Sequence, residues 1–169
     1  ERFPLRRRDW GPDLAALADR LHPGTSRVTS DVLDGAEIRQ DMVETIYELS
    51  AGARREILIS NAYIIPDERT IAAVRGLQAR GVRLAVLTNS LATHDVPAVN
   101  SHYGPWRTRL IEAGVELHEM RHDAAIQADI ADTPPTRAGF MGLHVKAMVV
   151  DRERVYIGSM NFDPRSAAL

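Results

Sequence analysis

An α/β fold is what this chain predicts, with a mixed, mostly parallel sheet flanked by helices on both faces. Three observations carry that expectation. Strand-like and helix-like stretches alternate from residue 26 to residue 90. REILISNAY and VRLAVLTNS are near-continuous apolar runs, the pattern of strands covered on both faces. Between them Ile71, Val74 and Leu77 recur at helical spacing.

Taken in order, the opening ERFPLRRRDW is basic and reads as a solvated linker before Trp10, with an arm that touches a phosphate-rich surface as the sharper alternative. PDLAALADRL reads as a short helix, so residues 1–25 form a linker and a helix ahead of one domain over 26–169. SRVTSDV (Ser26–Val32) predicts a strand. Asp34 and Glu37 have the spacing of a capping box, ahead of a helix whose stripe Ile38, Met42, Ile46 and Leu49 runs to about Ala51. A buried strand follows near 55–62. Pro66 and Asp67 open a helix that Gly81 stops, and a second apolar strand covers 82–90. The polar run LATHDVPAVNSHYG predicts a loop, followed by a helix near 105–113, a stop at Gly114 and the strand VELHEM. HDAAIQADIADTPPTRAGFMG predicts a long, mobile loop. HVKAMVVD and RVYIGS predict two strands joined by a tight DRER turn. There is no internal repeat.

Composition narrows the function. The 169 residues are 44% hydrophobic and 26% charged, which suits one soluble domain with a single core. With 21 basic and 23 acidic residues the net charge is −2, which exerts no general pull on nucleic acid or anionic lipid. The chain lacks cysteine, so disulfide and thiol chemistry are excluded. No apolar run approaches the roughly 20 residues that span a bilayer. The chain starts at Glu1 rather than at a methionine, and the expectation is a piece of a longer protein.

The chemistry concentrates in LHVKAMVVDRERVYIGSMNFDPRS, Leu143 to Ser166. Alternation along a strand puts His144 and Lys146 on one side. Two cationic groups beside apolar neighbours call for an anion between them, because burying them unpaired is costly. Ser159 and Asn161, also two apart, add a hydroxyl and an amide that donate to phosphate oxygens, and Gly158 allows close backbone approach. A neutral imidazole can attack phosphorus, while lysine and polar donors stabilise the charge that develops. No carboxylate–histidine cluster has metal-ligand spacing and no Gly-rich phosphate loop is present, so neither a metal nor a cofactor is expected.

His144, Lys146, Asp151, Gly158, Ser159 and Asn161 fit the pattern H-x-K-x4-D-x6-G-S-x-N at every interval, and at these residues the chain resembles the phospholipase D superfamily. SNAYIIP, LTNSLATHDVPAVNSHY, LIEAGVELHEM and NFDPRS are similar to the C-terminal half of bacterial cardiolipin synthases, in the branch that draws on phosphatidylethanolamine or phosphatidylglycerol. The resemblance implies a phospholipase D-like half-domain and a phosphatidyltransferase. Two such motifs meet, one histidine forms a phosphohistidine, and the other protonates the leaving alcohol. It implies that His144 is nucleophile or general acid, that Lys146 and Asn161 bind phosphate oxygens, that Ser159 supports them and that Asp151 is mainly structural. The implied partners are a phospholipid, a peripheral membrane contact on the cytoplasmic side of the inner membrane, and a second motif. That motif would come from a missing N-terminal half or from a homodimer. The acid that follows DPRS in the family has no counterpart before Leu169, so the chain alone is expected to be inactive.

Two other readings stay open: a homodimeric phosphodiesterase or nuclease, against which the net charge argues, and a non-catalytic anion-binding module. Elsewhere, Asn61, Tyr63, Asn89 and Ser90 follow the two apolar strands, where an open α/β sheet forms its crevice. Tyr63 and Asn89 are taken as substrate-binding, with capping as the plainer explanation. His94, beside Asp95, and His102 read as surface polar residues. His22, His118 and His122 receive no role.

Overall fold

Glycine and proline punctuate the chain, and the apolar stretches between them collect into one five-stranded sheet. The computed structural model describes residues 11–34, 37–126, 141–163 and 166. The basic opening and the centre of the predicted long loop lie outside these residues.

Helix α1 (Gly11–Ala18) precedes a small antiparallel hairpin, β1 (Val32–Asp34) and β2 (Glu37–Arg39). The hairpin replaces two expectations. Residues 26–31 form no strand, and Asp34 and Glu37 pair across the hairpin instead of capping a helix. Helix α2 (Asp41–Ala51) starts later, where the Asp31 carboxylate accepts the Met42 N–H (2.8 Å). That cap comes from ten residues before the helix, beyond the reach of a local spacing rule.

Strand β3 (Glu56–Asn61) is followed by α3 (Glu68–Ala79), capped by Asp67, whose side chain accepts from Thr70 N–H (2.7 Å). Strand β4 (Arg83–Asn89), a single 3₁₀ turn (Leu91–Thr93) and α4 (Pro97–Glu112) come next. Helix α4 starts eight residues before the predicted position. Pro97 occupies its first turn, where a missing N–H costs nothing, and Pro105 is carried inside the helix. Gly114 then adopts φ +96°, a conformation that stops the helix and turns the chain into β5 (Glu116–Met120). Strands β6 (Lys146–Val150) and β7 (Arg154–Ile157) complete the sheet.

The strand order is β5-β4-β3-β6-β7. Strands β3, β4 and β5 run parallel, and β6 and β7 are antiparallel additions. Ile57 lies opposite both Leu84 and Val150, so alternate residues of β3, β4 and β6 share one apolar face. Ile71, Val74 and Leu77 of α3 and Tyr103 and Leu110 of α4 bury against that face, and Ile46 and Leu49 of α2 pack on the same cluster. The described helices that enter the core therefore all lie on one side of the sheet. On the other side Val155 and Ile157 are 62% and 79% exposed. Among the described residues no helix is long and apolar enough to cross a membrane.

Candidate functional site

Topology brings His144 and Lys146 to one end of the sheet. The parallel strands β3 and β4 finish there, at Asn61 and Asn89, and the antiparallel β6 starts there at Lys146, paired with Asn61. This is the end at which open α/β sheets bind ligands. Three backbone contacts fix the segments around it. Ala62 N–H donates to Val145 O (3.2 Å), Gly158 N–H to Lys146 O (3.0 Å) and Ile65 N–H to Phe162 O (2.7 Å).

His144 sits just ahead of β6 and is exposed, while Lys146, two residues on, is buried. The Lys146 ammonium donates to the His144 carbonyl (2.8 Å) and lies 6.0 Å from the Tyr63 ring centre. Burial pulls its pKa below the usual lysine range, while the charges of Asp95 and Asp163 act in the opposite direction. Tyr63 donates to Asp95 (2.5 Å), and burial together with that bond pushes the Tyr63 phenol up to about 12. Asp95 is held below the usual carboxylate range, chiefly by the Tyr63 hydrogen bond, with the charges of His94 and His144 contributing. The result is a cationic group with two carboxylates near it at an open end, groups able to manage protons there.

The other motif residues take different positions. Asn161 is half-buried, and among the described residues its Oδ1 has no hydrogen-bond partner. Ser159 is exposed. Asp151 lies at the far end of β6, away from this cluster. It accepts backbone N–H groups from Arg54 (2.9 Å), Arg55 (2.8 Å) and Glu56 (3.0 Å), and these donors hold its carboxyl below the usual range. Asp151 and Arg152 have φ values of 56° and 60°, so the tight turn after β6 is left-handed. Gly158 faces the Tyr156 phenol so closely that any side chain there would run into the ring. Close approach to a ligand is the expectation for Gly158; close approach to Tyr156 is what the fold shows.

Tyr63 is in the cluster, whereas Asn89 is sunk beneath it. The Asn89 side chain bonds Ala62 O (3.2 Å), Leu143 O (3.0 Å) and Leu143 N–H (2.8 Å), which occupies its donors and places it as an anchor for the segment entering His144. Asn61 is fully buried, and its amide reaches Met160 O at 3.5 Å. His94 is a correction: it is 8% exposed and stacks on Tyr63 with ring centres 5.4 Å apart. Burial holds its pKa below the usual histidine value, against the pull of Asp95. His102 is exposed on α4, as expected. Asp95 and Asp163 carry no role in the sequence reading. The signal for Asp95 is there, in a His-Asp pair just past the carboxyl end of an apolar strand. No group of three or more His, Cys, Asp or Glu side chains is placed to hold a metal among the described residues.

Residues 46–169 match the family described as cardiolipin synthase, PLD-like domain. The chain is 31% identical to cardiolipin synthase C of Escherichia coli (strain K12), over 98% of the chain and 36% of that protein. It is 29% identical to cardiolipin synthase B of the same strain, over 96% of the chain and 34% of that protein. The chain thus spans about a third of the length of these curated relatives. Among solved structures, phosphatidylserine synthase from Haemophilus influenzae Rd KW20 aligns with a TM-score of 0.55 and 14% identity, over 76% of this chain and 30% of that one. The phospholipase D family member Nuc from Salmonella typhimurium aligns with a TM-score of 0.50 and 17% identity, over 75% of this chain and 68% of that one. At these identities the structural likeness is one of fold.

Proposed function

The chain belongs to the family of cardiolipin synthase, phospholipase D-like domains, and from that premise we propose that it carries one half of a two-histidine site for transfer at phospholipid phosphodiesters. The observation that carries the reading is the pairing of exposed His144 with buried Lys146 at the carboxyl end of the parallel strands. A buried ammonium whose pKa is depressed by desolvation gains most from an anion. A phosphodiester oxygen beside Lys146 supplies one, and the Asn161 amide and Ser159 hydroxyl of the same motif are the further donors in this reading.

In the proposed chemistry an imidazole nitrogen attacks phosphorus while the bond to the leaving alcohol breaks. A second histidine, from another H-x-K segment, donates the proton that the departing oxygen takes up. The phosphohistidine is then resolved by an incoming alcohol. The second histidine removes that alcohol's proton, and the phosphorus–nitrogen bond breaks. His144 fills one of the two roles. Lys146 and Asn161 steady the equatorial oxygens, and the Tyr63–Asp95 pair sets the field around them. The second segment comes from the same polypeptide or from a second copy, and the lipid is met at the membrane surface by peripheral contact.

The test is phosphatidyl transfer between phospholipids in the complete two-motif assembly, comparing the unmodified protein with His144→Ala. Transfer should fall to background. Near-normal transfer by His144→Ala would refute the assignment.

A further inference from the structure

Helix α2 packs only partly onto the sheet. Its apolar residues Val43, Ile46 and Leu49 are all only partly buried, and no residue of the helix is fully buried. Beneath it lies a cavity of about 260 Å³. Ile59, Leu84 and Val86 of the sheet form its floor, Ala73, Val74 and Leu77 of α3 form one wall, and Val43, Ile46 and Ser50 of α2 form the other. Two polar links tie the helices across the outer side: Arg69 to Glu44 (3.1 Å), and the Tyr47 and Thr70 hydroxyls to each other (3.1 Å). An empty apolar space destabilises a core in proportion to its volume, and one of about 150 Å³ already takes benzene. A cleft of this size, lined mostly by apolar side chains and flanked by two linked helices, has room for an apolar occupant.

The upper rim identifies that occupant. Met160, Asn161, Phe162 and Asp163 line the cavity, so the motif segment is also the cavity's lip. Asn161, whose Oδ1 is buried without a partner among the described residues, both lines the apolar space and belongs to the motif proposed to bind phosphate. A side-chain amide can turn over and present either its donors or its acceptor. It suits the polar glycerol ester region that joins a phosphate to a hydrocarbon chain. We infer that the cavity takes the proximal part of an acyl chain of the phospholipid whose phosphodiester rests on His144 and Lys146, an inference that rests on the proposed function. From Val43 to Ser50 helix α2 covers about 10 Å, room for a chain of about eight methylenes.

The test is a binding series on the chain, titrating glycerophosphoglycerol and 1-acyl-lysophosphatidylglycerols of increasing chain length below their micellar concentrations. Affinity should rise about threefold to fourfold per methylene up to about eight carbons and then level off. Ala73→Phe, which fills the cavity, should cut affinity for the eight-carbon lipid at least tenfold and leave glycerophosphoglycerol binding unchanged. If that variant loses its thermal transition, Ser50→Leu at the deep end should lower the length at which affinity levels off. Equal affinity for glycerophosphoglycerol and the acylated series overturns the acyl site and leaves the phosphodiester reading intact. Lipid binding that is indifferent to Lys146→Ala, with no binding of glycerophosphoglycerol, overturns that reading and the inference with it.

Discussion

Asn89 holds Leu143 by both of its backbone groups: its Oδ1 accepts the Leu143 N–H (2.8 Å) and its Nδ2 donates to the Leu143 carbonyl (3.0 Å). The same Nδ2 reaches Ala62 O (3.2 Å), so one amide ties the ends of β3 and β4 to the residue before His144. Asn89→Leu keeps the branched shape of the side chain and removes all three bonds, leaving the Leu143 backbone groups without these partners. We expect a loss of about 2–3 kcal/mol in stability by denaturant titration, with a fall in kcat that exceeds any change in KM. An unchanged midpoint would show that the clamp contributes nothing.

Asp151 is the motif residue that works at a distance from the site. Three backbone donors hold its folded-state pKa below that of the unfolded chain. Its stabilising contribution is therefore full above the unfolded value, near 3.9, and is lost as pH falls below it. Asp151→Asn should lower the melting temperature at neutral pH by roughly 5 °C or more and flatten the acid limb of a stability–pH curve. Equal acid limbs for the two proteins would contradict this role.

His94 makes the opposite kind of contribution to a titration curve from a histidine that gains a carboxylate. Burial lowers its pKa, so the folded state resists protonating it. The stabilisation is complete above the unfolded value, near 6.5, and declines as pH falls through it toward the lower folded value. His94→Gln should remove that slope between pH 6.5 and 5, read as the difference between two sets of thermal melts. A slope that persists in the variant would assign it to another group.

Tyr63→Phe removes the main support of Asp95 while keeping the ring stacked on His94 and near Lys146. Asp95 should then titrate higher, because that hydrogen bond is the chief cause of its depression. One lost hydrogen bond corresponds to a fall in kcat/KM of up to about tenfold. A pH–rate profile with an unshifted acid limb would show that Asp95 does not act at the site.

Local periodicity made β3, α3, β4 and β5 legible, because their apolar positions and stops lie within a few residues of one another. The start of α2 was not legible, since its donor is capped by Asp31 from outside the helix. Helix α4 starts within the polar run LATHDVPAVNSHYG that predicts a loop, with Pro97 in its first turn and Pro105 carried inside. The motif's spacing names Lys146 and Asn161; of the partners that set the local field, Asp163 lies just past the motif in sequence, but Asp95 comes from another segment that only the fold brings near. Gly158 and Asn89 show the same limit in reverse. Both residue types were noticed, but their neighbours, Tyr156 and Leu143, decide what they do.

Strand β3 is the middle of the sheet, yet it is made early and one of its partners is made late; Arg55 and Asp151, which bond across that junction, are 96 residues apart. On a ribosome β3, β4 and β5 can pair as they emerge, while the other edge of β3 stays open until β6 is synthesised. Closing so long a loop is slow, and an open edge invites pairing with other chains. In pulse-labelled hydrogen exchange during refolding, β3 amides that point to β4 should be protected before those that point to β6; protection at equal rates would exclude this order. The segment bearing His144 and Lys146 is then seated only after the parallel strands have formed, when β6 closes on the open edge of β3.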